Sequence, residues 1–309
     1  MKPELNRRAF LKNTGGLVMA GGAIELLLAA CGGNVSTTTT TGSTPSAGAT
    51  PIGNAGLMKP GVLQWGADYV SGAPYVFQDP ANPNNLVGFE VEIAVAIGQL
   101  MGVTQKMIET CYGELDQALA ANKFDMVMNG WEITDERKKT QLFSDPYYRY
   151  GQQIVVRAND PRFAQYDANS VVELTVLEGY KVGTGDGYKA ATYLQADPKI
   201  TTKLYNGDEP FDDVKQKKLD AAMVDVPIVA YYVQGSGPGA TPNPALKLLG
   251  KPLYPDIYVV GFNNKSAAAQ KLLPEINAAI AALKKNGTLK KIYQKWALWN
   301  DQQGAIGIQ

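Results

Sequence analysis

Short apolar runs alternate with amphipathic stretches from Val62 onwards, and this alternation is the strongest constraint on the fold. The apolar runs predict strands at 62–66, 106–109, 124–129, 153–157, 181–184 and 221–224. Helical spacing of apolar residues predicts helices at 89–101, 115–121, 188–195 and 210–218, one starting at Thr134, and two near the C-terminus around 272–283 and 289–296. Strands that alternate with helices form parallel sheets with helices on both faces, so the predicted class is α/β. The two series, before and after Tyr148, predict two lobes that enclose a cleft.

The composition excludes several kinds of chemistry. The 309 residues include no His and only two Cys, which excludes His-dependent catalytic triads, His metal ligands and Cys-rich zinc sites. Lys and Arg (29) balance Asp and Glu (29), so nothing indicates a nucleic-acid partner. With 45% apolar residues, the chain can bury a core in each of about two domains.

The first thirty residues have the organisation of an export signal. A basic segment over 2–12 precedes a weakly apolar stretch over 15–30. Residues 6–12 (NRRAFLK) resemble a twin-arginine export signal, and the sequence does not decide between that pathway and the general one. Residues 28–31 (LAAC) resemble a bacterial lipobox, which implies a signal peptide over 1–30 and a lipidated Cys31.

A linker follows the lipobox. Residues 32–57 are uncharged and rich in Ser, Thr and Gly, which predicts that 31–57 is a lipidated Cys and a flexible tether to the membrane. Cys111 then has no intramolecular partner, and we expect it to be a buried, inert thiol.

Three features could bind a small ligand. Arg137 lies in the predicted first turn of a helix, where the macrodipole disfavours a cation; it could hold a carboxylate or pair with Asp135 or Glu136. Asp225 ends a strand and could hold an ammonium group or cap the next helix. The segment 183–187 (GTGDG) joins a strand to a helix, where N–H groups could hold an anion, or it could be only a tight turn.

Aromatic and acidic residues also occur near the predicted strand ends. The aromatic residues could belong to the core or could pack against a ligand, and they are Tyr69, Tyr75, Tyr112 and Trp131. Asp68 and Glu132 each follow a strand, and each could be a solvated loop acid or a ligand contact.

Four segments resemble solute-binding protein family 3, which supplies polar amino acids to ABC importers. They occur in the family order and are 88–97 (GFEVEIAVAI), 129–139 (NGWEITDERKK), 143–148 (FSDPYY) and 286–296 (NGTLKKIYQKW). The resemblance covers about 61–300 and implies a two-lobe periplasmic-binding-protein-like fold of type II with two crossover strands. It places lobe 1 at 58–147 plus 259–309 and lobe 2 at 148–258.

The resemblance also implies roles for individual residues. Arg137 would hold the α-carboxylate of an amino acid, helped by N–H groups at Gly187, Tyr188 and Lys189. Asp225, from the other lobe, would hold the α-ammonium group.

The remaining predicted ligand contacts are Asp68, Tyr75, Tyr112, Gly130 and Glu132. Tyr75 and Tyr112 occupy the wall positions, and Asp68 occupies the position that often contacts the ligand side chain. Glu132 departs from the family, which usually has Thr there. Further departures are Tyr188-Lys189 in place of a small pair, and bulkier residues at Asn129 and Trp131, so the family resemblance leaves pocket size and specificity open.

The implied function is capture of an L-amino acid by a lipid-anchored extracytoplasmic monomer that delivers it to an ABC transporter permease. Asp68 and Glu132 make the pocket acidic, which favours a polar or cationic side chain. We expect no cofactor, metal or catalytic residue. Two alternatives are a cyclohexadienyl-dehydratase-like enzyme with Glu132 as acid and base, and a sensor whose liganded form docks on a receptor.

Overall fold

The computed structural model describes residues 52–70, 72–206 and 210–309. The predicted signal peptide, the lipobox with Cys31 and the linker up to residue 51 lie outside the described residues. Among the described residues, no helix is both long enough and apolar enough to cross a bilayer.

The described residues contain a strand at each predicted strand position and a helix at six of the seven predicted helix positions, together with six strands and one helix that the pattern did not predict. The strands are β1 (Val62–Ala67), β2 (Phe77–Asp79), β3 (Asn82–Val87), β4 (Thr104–Glu109), β5 (Met126–Val127), β6 (Gln141–Phe143), β7 (Tyr148–Arg157), β8 (Lys181–Gly185), β9 (Thr201–Tyr205), β10 (Ala221–Asp225), β11 (Leu246–Tyr258) and β12 (Gly261–Asn263). The α-helices are α1 (Phe89–Met101), α2 (Leu115–Ala120), α3 (Lys189–Ala196), α4 (Phe211–Lys215), α5 (Val226–Tyr232), α6 (Ala267–Lys285) and α7 (Thr288–Lys295).

Two five-stranded sheets form the centres of the two lobes. The first sheet has the order β4-β1-β5-β12-β6 and the second has the order β11-β7-β10-β8-β9, while β2 and β3 form a separate hairpin. The chain passes from the first sheet to the second between β6 and β7, and it returns between β11 and β12. These two crossings confirm the type II two-lobe fold.

Both sheets are mixed, so the expectation of parallel sheets is wrong for the strands next to the crossings. β1 runs parallel to β4 and β5, and β8 runs parallel to β9 and β10. β12 is antiparallel to β5 and β6, and β7 is antiparallel to β10 and β11. A strand that arrives from the other lobe enters its sheet without a helical crossover, so it need not run in the parallel direction.

Helix α1 shows how the apolar pattern fixes an element. Phe89, Ile93, Ile97 and Met101 are all buried on one face. Gly102 ends the helix in the left-handed conformation (φ 68°), which glycine adopts without steric cost. The helix therefore begins and ends where the sequence predicts.

Three local predictions are wrong. The strand predicted over 124–129 is reduced to the two residues of β5. Thr134 begins no α-helix, and a 3₁₀ turn over Arg137–Lys139 follows it instead. Cys111 is exposed rather than buried, because it lies in the surface segment just before the 3₁₀ turn Tyr112–Glu114.

Candidate ligand-binding site between the lobes

An acidic cavity lies where the ends of strands from both sheets meet. Three buried carboxylates line it: Asp68 follows β1, Glu132 follows β5, and Asp225 ends β10. The other lining residues are Tyr75, Tyr112, Tyr188, Gly72, Asn129, Gly130 and Ile228. None of these described lining residues is a Lys or Arg. The cavity measures about 20 Å³, which is room for about one water molecule.

Glu132 reaches across the cleft. Its Oε2 accepts a hydrogen bond from the backbone N–H of Lys189 at 2.9 Å, and its Oε1 accepts one from the hydroxyl of Tyr150. Burial raises the pKa of Glu132 to about 8, and the negative charge of Asp225 adds to the increase. The side chain of Glu132 thus binds a proton more readily than a free glutamate does, and a cation bound beside it would favour its charged form again.

Asp225 lies at the start of helix α5 but does not cap it. Its side chain makes no capping hydrogen bond, so the structure does not show the helix-capping alternative. The carboxylate instead accepts a hydrogen bond from the Tyr258 hydroxyl, which also lies 2.7 Å from the hydroxyl of Tyr75. The Tyr258 ring stacks on Tyr150 with 4.0 Å between centroids. Asp225 is therefore held by the last residue of β11, next to the crossing back to the first sheet.

Arg137 lies against a different cavity. Its Nε is 3.3 Å from the carboxylate of Asp116, and its Nη1 donates to the backbone carbonyl of Glu132 at 3.0 Å. The guanidinium carbon lies 3.4 Å from the ring centre of Trp131. This second cavity measures about 360 Å³. It shares Tyr112 with the acidic cavity, but Glu132 and Asp225 do not line it.

The surface pairing considered for Arg137 does not occur. Asp135 pairs with Lys138 at 2.9 Å, and Glu136 pairs with Lys139 at 2.7 Å. Arg137 is only 6% exposed, and it pairs instead with Asp116, whose side chain is 48% exposed.

The glycine-rich segment brings the start of helix α3 to the cleft. Gly187 has a φ of 76° and turns the chain into the helix. Tyr188 packs edge-on against Tyr112 with 5.4 Å between ring centres. The Lys189 ammonium group pairs with Asp256 and lies 3.3 Å from the carbonyl of Ile133. The N–H group of Lys189, one of the three expected to hold a ligand anion, is thus bonded to Glu132.

Seven of the predicted residues share the acidic cavity, namely Asp68, Tyr75, Tyr112, Gly130, Glu132, Tyr188 and Asp225. Arg137 and Gly187 line the second cavity. Lys189 contacts Glu132 of the acidic cavity through its backbone N–H.

Sequence reasoning missed three residues of the site: Glu90, Tyr150 and Tyr258. Glu90 is fully buried. It accepts hydrogen bonds from the N–H of Gly130 at 2.8 Å and from the Tyr147 hydroxyl. Burial raises the pKa of Glu90 to about 7. An acid on the apolar face of a predicted helix was the available signal for Glu90, whereas nothing local distinguishes the two tyrosines.

The chain is similar to one known protein family and to individual known proteins. Residues 66–298 match the bacterial extracellular solute-binding proteins, family 3. The chain is 27% identical over 222 residues to the arginine-binding periplasmic protein of Mannheimia haemolytica, which covers 71% of this chain and 86% of that one.

Two solved structures are also similar to this chain. An ancestral arginine-binding protein bound to arginine has a TM-score of 0.64 and 32% identity, over 76% of this chain and 98% of that one. The ancestral amino acid-binding protein AncCDT-1, a precursor of cyclohexadienyl dehydratase, has a TM-score of 0.65 and 28% identity, over 77% and 96%. By the extent of the family match, this chain belongs to the bacterial extracellular solute-binding proteins, family 3.

Proposed function

We propose that this protein captures a small cationic solute, an L-amino acid or a closely related amine, between its lobes and delivers it to an ABC importer. The observation that carries the proposal is the convergence of Asp68, Glu132 and Asp225 on one cavity with no Lys or Arg in its described lining. Acids that converge on one cleft make its electrostatic potential negative, so this cavity favours an ammonium or guanidinium group. Tyrosine faces attract the same groups.

The proposed roles of the residues follow from their positions. Asp225 accepts hydrogen bonds from the ligand ammonium group, Asp68 faces the other end of the ligand, and Tyr75 and Tyr112 form the walls. For an amino acid, Arg137 would hold the α-carboxylate, which requires its guanidinium group to exchange a protein oxygen for the ligand.

Entry of a ligand requires the lobes to separate. A cavity of about 20 Å³ is too small for an amino acid, so the described conformation is closed. The hinge would be the two crossings, with lobe 1 at 58–147 plus 259–309 and lobe 2 at 148–258.

We further propose that the mature chain begins at a lipidated Cys31 and acts as a monomer at the outer face of a membrane. The support is the lipobox-like segment and the uncharged linker. The name of the Mannheimia haemolytica relative, a periplasmic protein, is consistent with an extracytoplasmic location.

Titration calorimetry of the purified protein tests the proposed function. A panel should contain the twenty L-amino acids, L-ornithine and simple amines. We expect at least one cationic compound to bind with a Kd near the micromolar range, about −8 kcal/mol. Absence of binding by every compound would contradict the proposal.

A dehydratase-like activity is the second candidate. Its support is the acid at Glu132, whose pKa lies near neutrality, and the similarity to a dehydratase precursor. Such an enzyme acts on cyclic acids, however, and an anionic substrate would meet three carboxylates in this cavity. We therefore infer a binding protein, and conversion of prephenate or arogenate by the purified protein would favour the enzyme instead.

A further inference from the structure

We infer that the preferred ligand is an amine or guanidine without an α-carboxylate, because Glu132 supplies the carboxylate that an amino-acid ligand would bring. The inference rests on the proposed function, since it narrows the ligand class of the same cavity. Three observations carry it.

The first observation is that the anion position is already filled. The N-terminus of helix α3 presents its Lys189 N–H to the cleft, and helix N-termini favour anions. That N–H donates to Oε2 of Glu132 at 2.9 Å. Glu132 is only 2% exposed, and its other oxygen accepts from Tyr150. A side chain of the protein therefore occupies the place where a ligand carboxylate would bind.

The second observation is that Arg137 is held elsewhere. Its Nε faces Asp116, its Nη1 donates to the carbonyl of Glu132, and its guanidinium group stacks on Trp131. All three partners belong to the protein. Arg137 also lines the second cavity rather than the acidic one. A ligand carboxylate in the acidic cavity would thus lack a guanidinium partner unless this arrangement broke.

The third observation is the charge of the acidic cavity itself. Asp68, Glu132 and Asp225 line it, and a ligand carboxylate would add a further acid close to them. Like charges in a poorly solvated space repel strongly. These acids attract an ammonium or guanidinium group, and Tyr75, Tyr112 and Tyr188, whose ring type also attracts cations, line the same cavity. The cavity therefore favours the cation and disfavours the carboxylate.

Matched pairs of ligands test the inference by calorimetry. The pairs are agmatine and L-arginine, cadaverine and L-lysine, and putrescine and L-ornithine, in which the members differ only by the α-carboxylate. We expect the amine of at least one pair to bind at least tenfold more tightly than its amino acid. Equal or tighter binding of the amino acid in every pair that binds overturns the inference but leaves the proposed function intact. If no member of any pair binds, the inference fails, and so does the proposal that the ligand is one of these cationic compounds.

A substitution at Glu132 gives an independent test. Glu132→Thr removes the resident carboxylate and frees the Lys189 N–H, so we expect the preference for the amine to fall at least tenfold. Glu132→Gln keeps the side-chain length and serves if the threonine variant does not fold; it should lower the preference in the same direction. Glu173→Gln is the matched control, since Glu173 is exposed and lines neither cavity, and the ligand preference of this variant should equal that of the wild type. An unchanged preference in folded Glu132 variants overturns the inference.

Discussion

At the scale of single residues, Glu132 determines the character of the site. The family resemblance implies Thr at this position, and a Thr side chain is shorter than that of Glu132. The carboxylate of Glu132 reaches the N–H of Lys189 in the second lobe and the hydroxyl of Tyr150. One substitution thereby adds an acid to the ligand cavity and a direct contact between the lobes.

The raised pKa of Glu132 makes the stability of the protein depend on pH. Burial raises this pKa from 4.5 to about 8, so between these values the folded protein keeps a proton that the unfolded chain has released. The free energy of unfolding should therefore fall as the pH rises, by up to about 1.4 kcal/mol per pH unit from this group. Glu132→Gln cannot titrate, so its stability relative to the wild type should increase from about pH 5 to about pH 8. Urea unfolding at several pH values measures this difference.

The difference in stability between Glu132→Gln and the wild type separates the effect of Glu132 from the effects of other buried acids. Burial also raises the pKa values of Glu90 and Glu109 to about 7, but both acids are present in wild type and variant alike. Parallel curves for Glu132→Gln and wild type would show that Glu132 titrates normally.

At the scale of elements, strand β11 connects the site to both lobes. Its last residue, Tyr258, bonds to Asp225 of the second sheet and to Tyr75 near the first. Its ring stacks on Tyr150 of β7, the other strand next to a crossing. The hydroxyl of Tyr258 is therefore a shared partner for groups that must separate when the lobes open.

Removal of this hydroxyl should destabilise the described conformation. Tyr258→Phe keeps the ring stacking but loses two hydrogen bonds in a buried place, which should lower the free energy of unfolding by about 2 kcal/mol. Tyr254→Phe is the control on the same strand, since Tyr254 is partly exposed and stacks on Tyr193. Thermal and urea unfolding of both variants measure the effect. Equal stabilities for the two variants would mean that the Tyr258 hydroxyl contributes nothing.

The fold was predictable where the local pattern agrees with the tertiary structure. The apolar residues of helix α1 recur at helical spacing and a glycine follows its last turn. The helix forms and ends as these two signals predict. Strand β11 contains Gly250, Pro252 and Pro255, which argue against a strand from sequence alone. It is nevertheless a strand because it lies at the edge of its sheet, where Pro is tolerated, and because irregular register accommodates these residues.

Most residues that line the acidic cavity are among those that the family resemblance names, but their bonding partners were not predictable. The family resemblance located Arg137, Asp225 and Glu132 by number. Asp116 lies 21 positions before Arg137 in the chain, and Tyr258 lies 33 positions after Asp225, so only the folded chain brings these partners together. The sequence could therefore not show that Arg137 and Asp225 line different cavities.

At the scale of the whole molecule, a small set of contacts closes the cleft. Lys189 contacts Glu132 and Ile133, and Tyr188 packs on Tyr112. Because the acidic cavity holds about one water molecule, the proposed function requires the protein to exchange between this conformation and a more open one before it takes up a solute. Each of these contacts should then contribute separately to the ratio of closed to open molecules.

Loss of the aromatic contact should shift the protein towards the open conformation. Tyr188→Ala removes an edge-on ring contact worth about 1 kcal/mol, which changes the closed-to-open ratio about fivefold. Small-angle X-ray scattering without ligand should give a larger radius of gyration for this variant than for the wild type. Tyr193→Ala is the matched control, because Tyr193 lies on the same helix but stacks on Tyr254 within the proposed second lobe. If both variants scatter like the wild type, Tyr188 does not hold the lobes together, and closure must depend on Glu132 and Lys189.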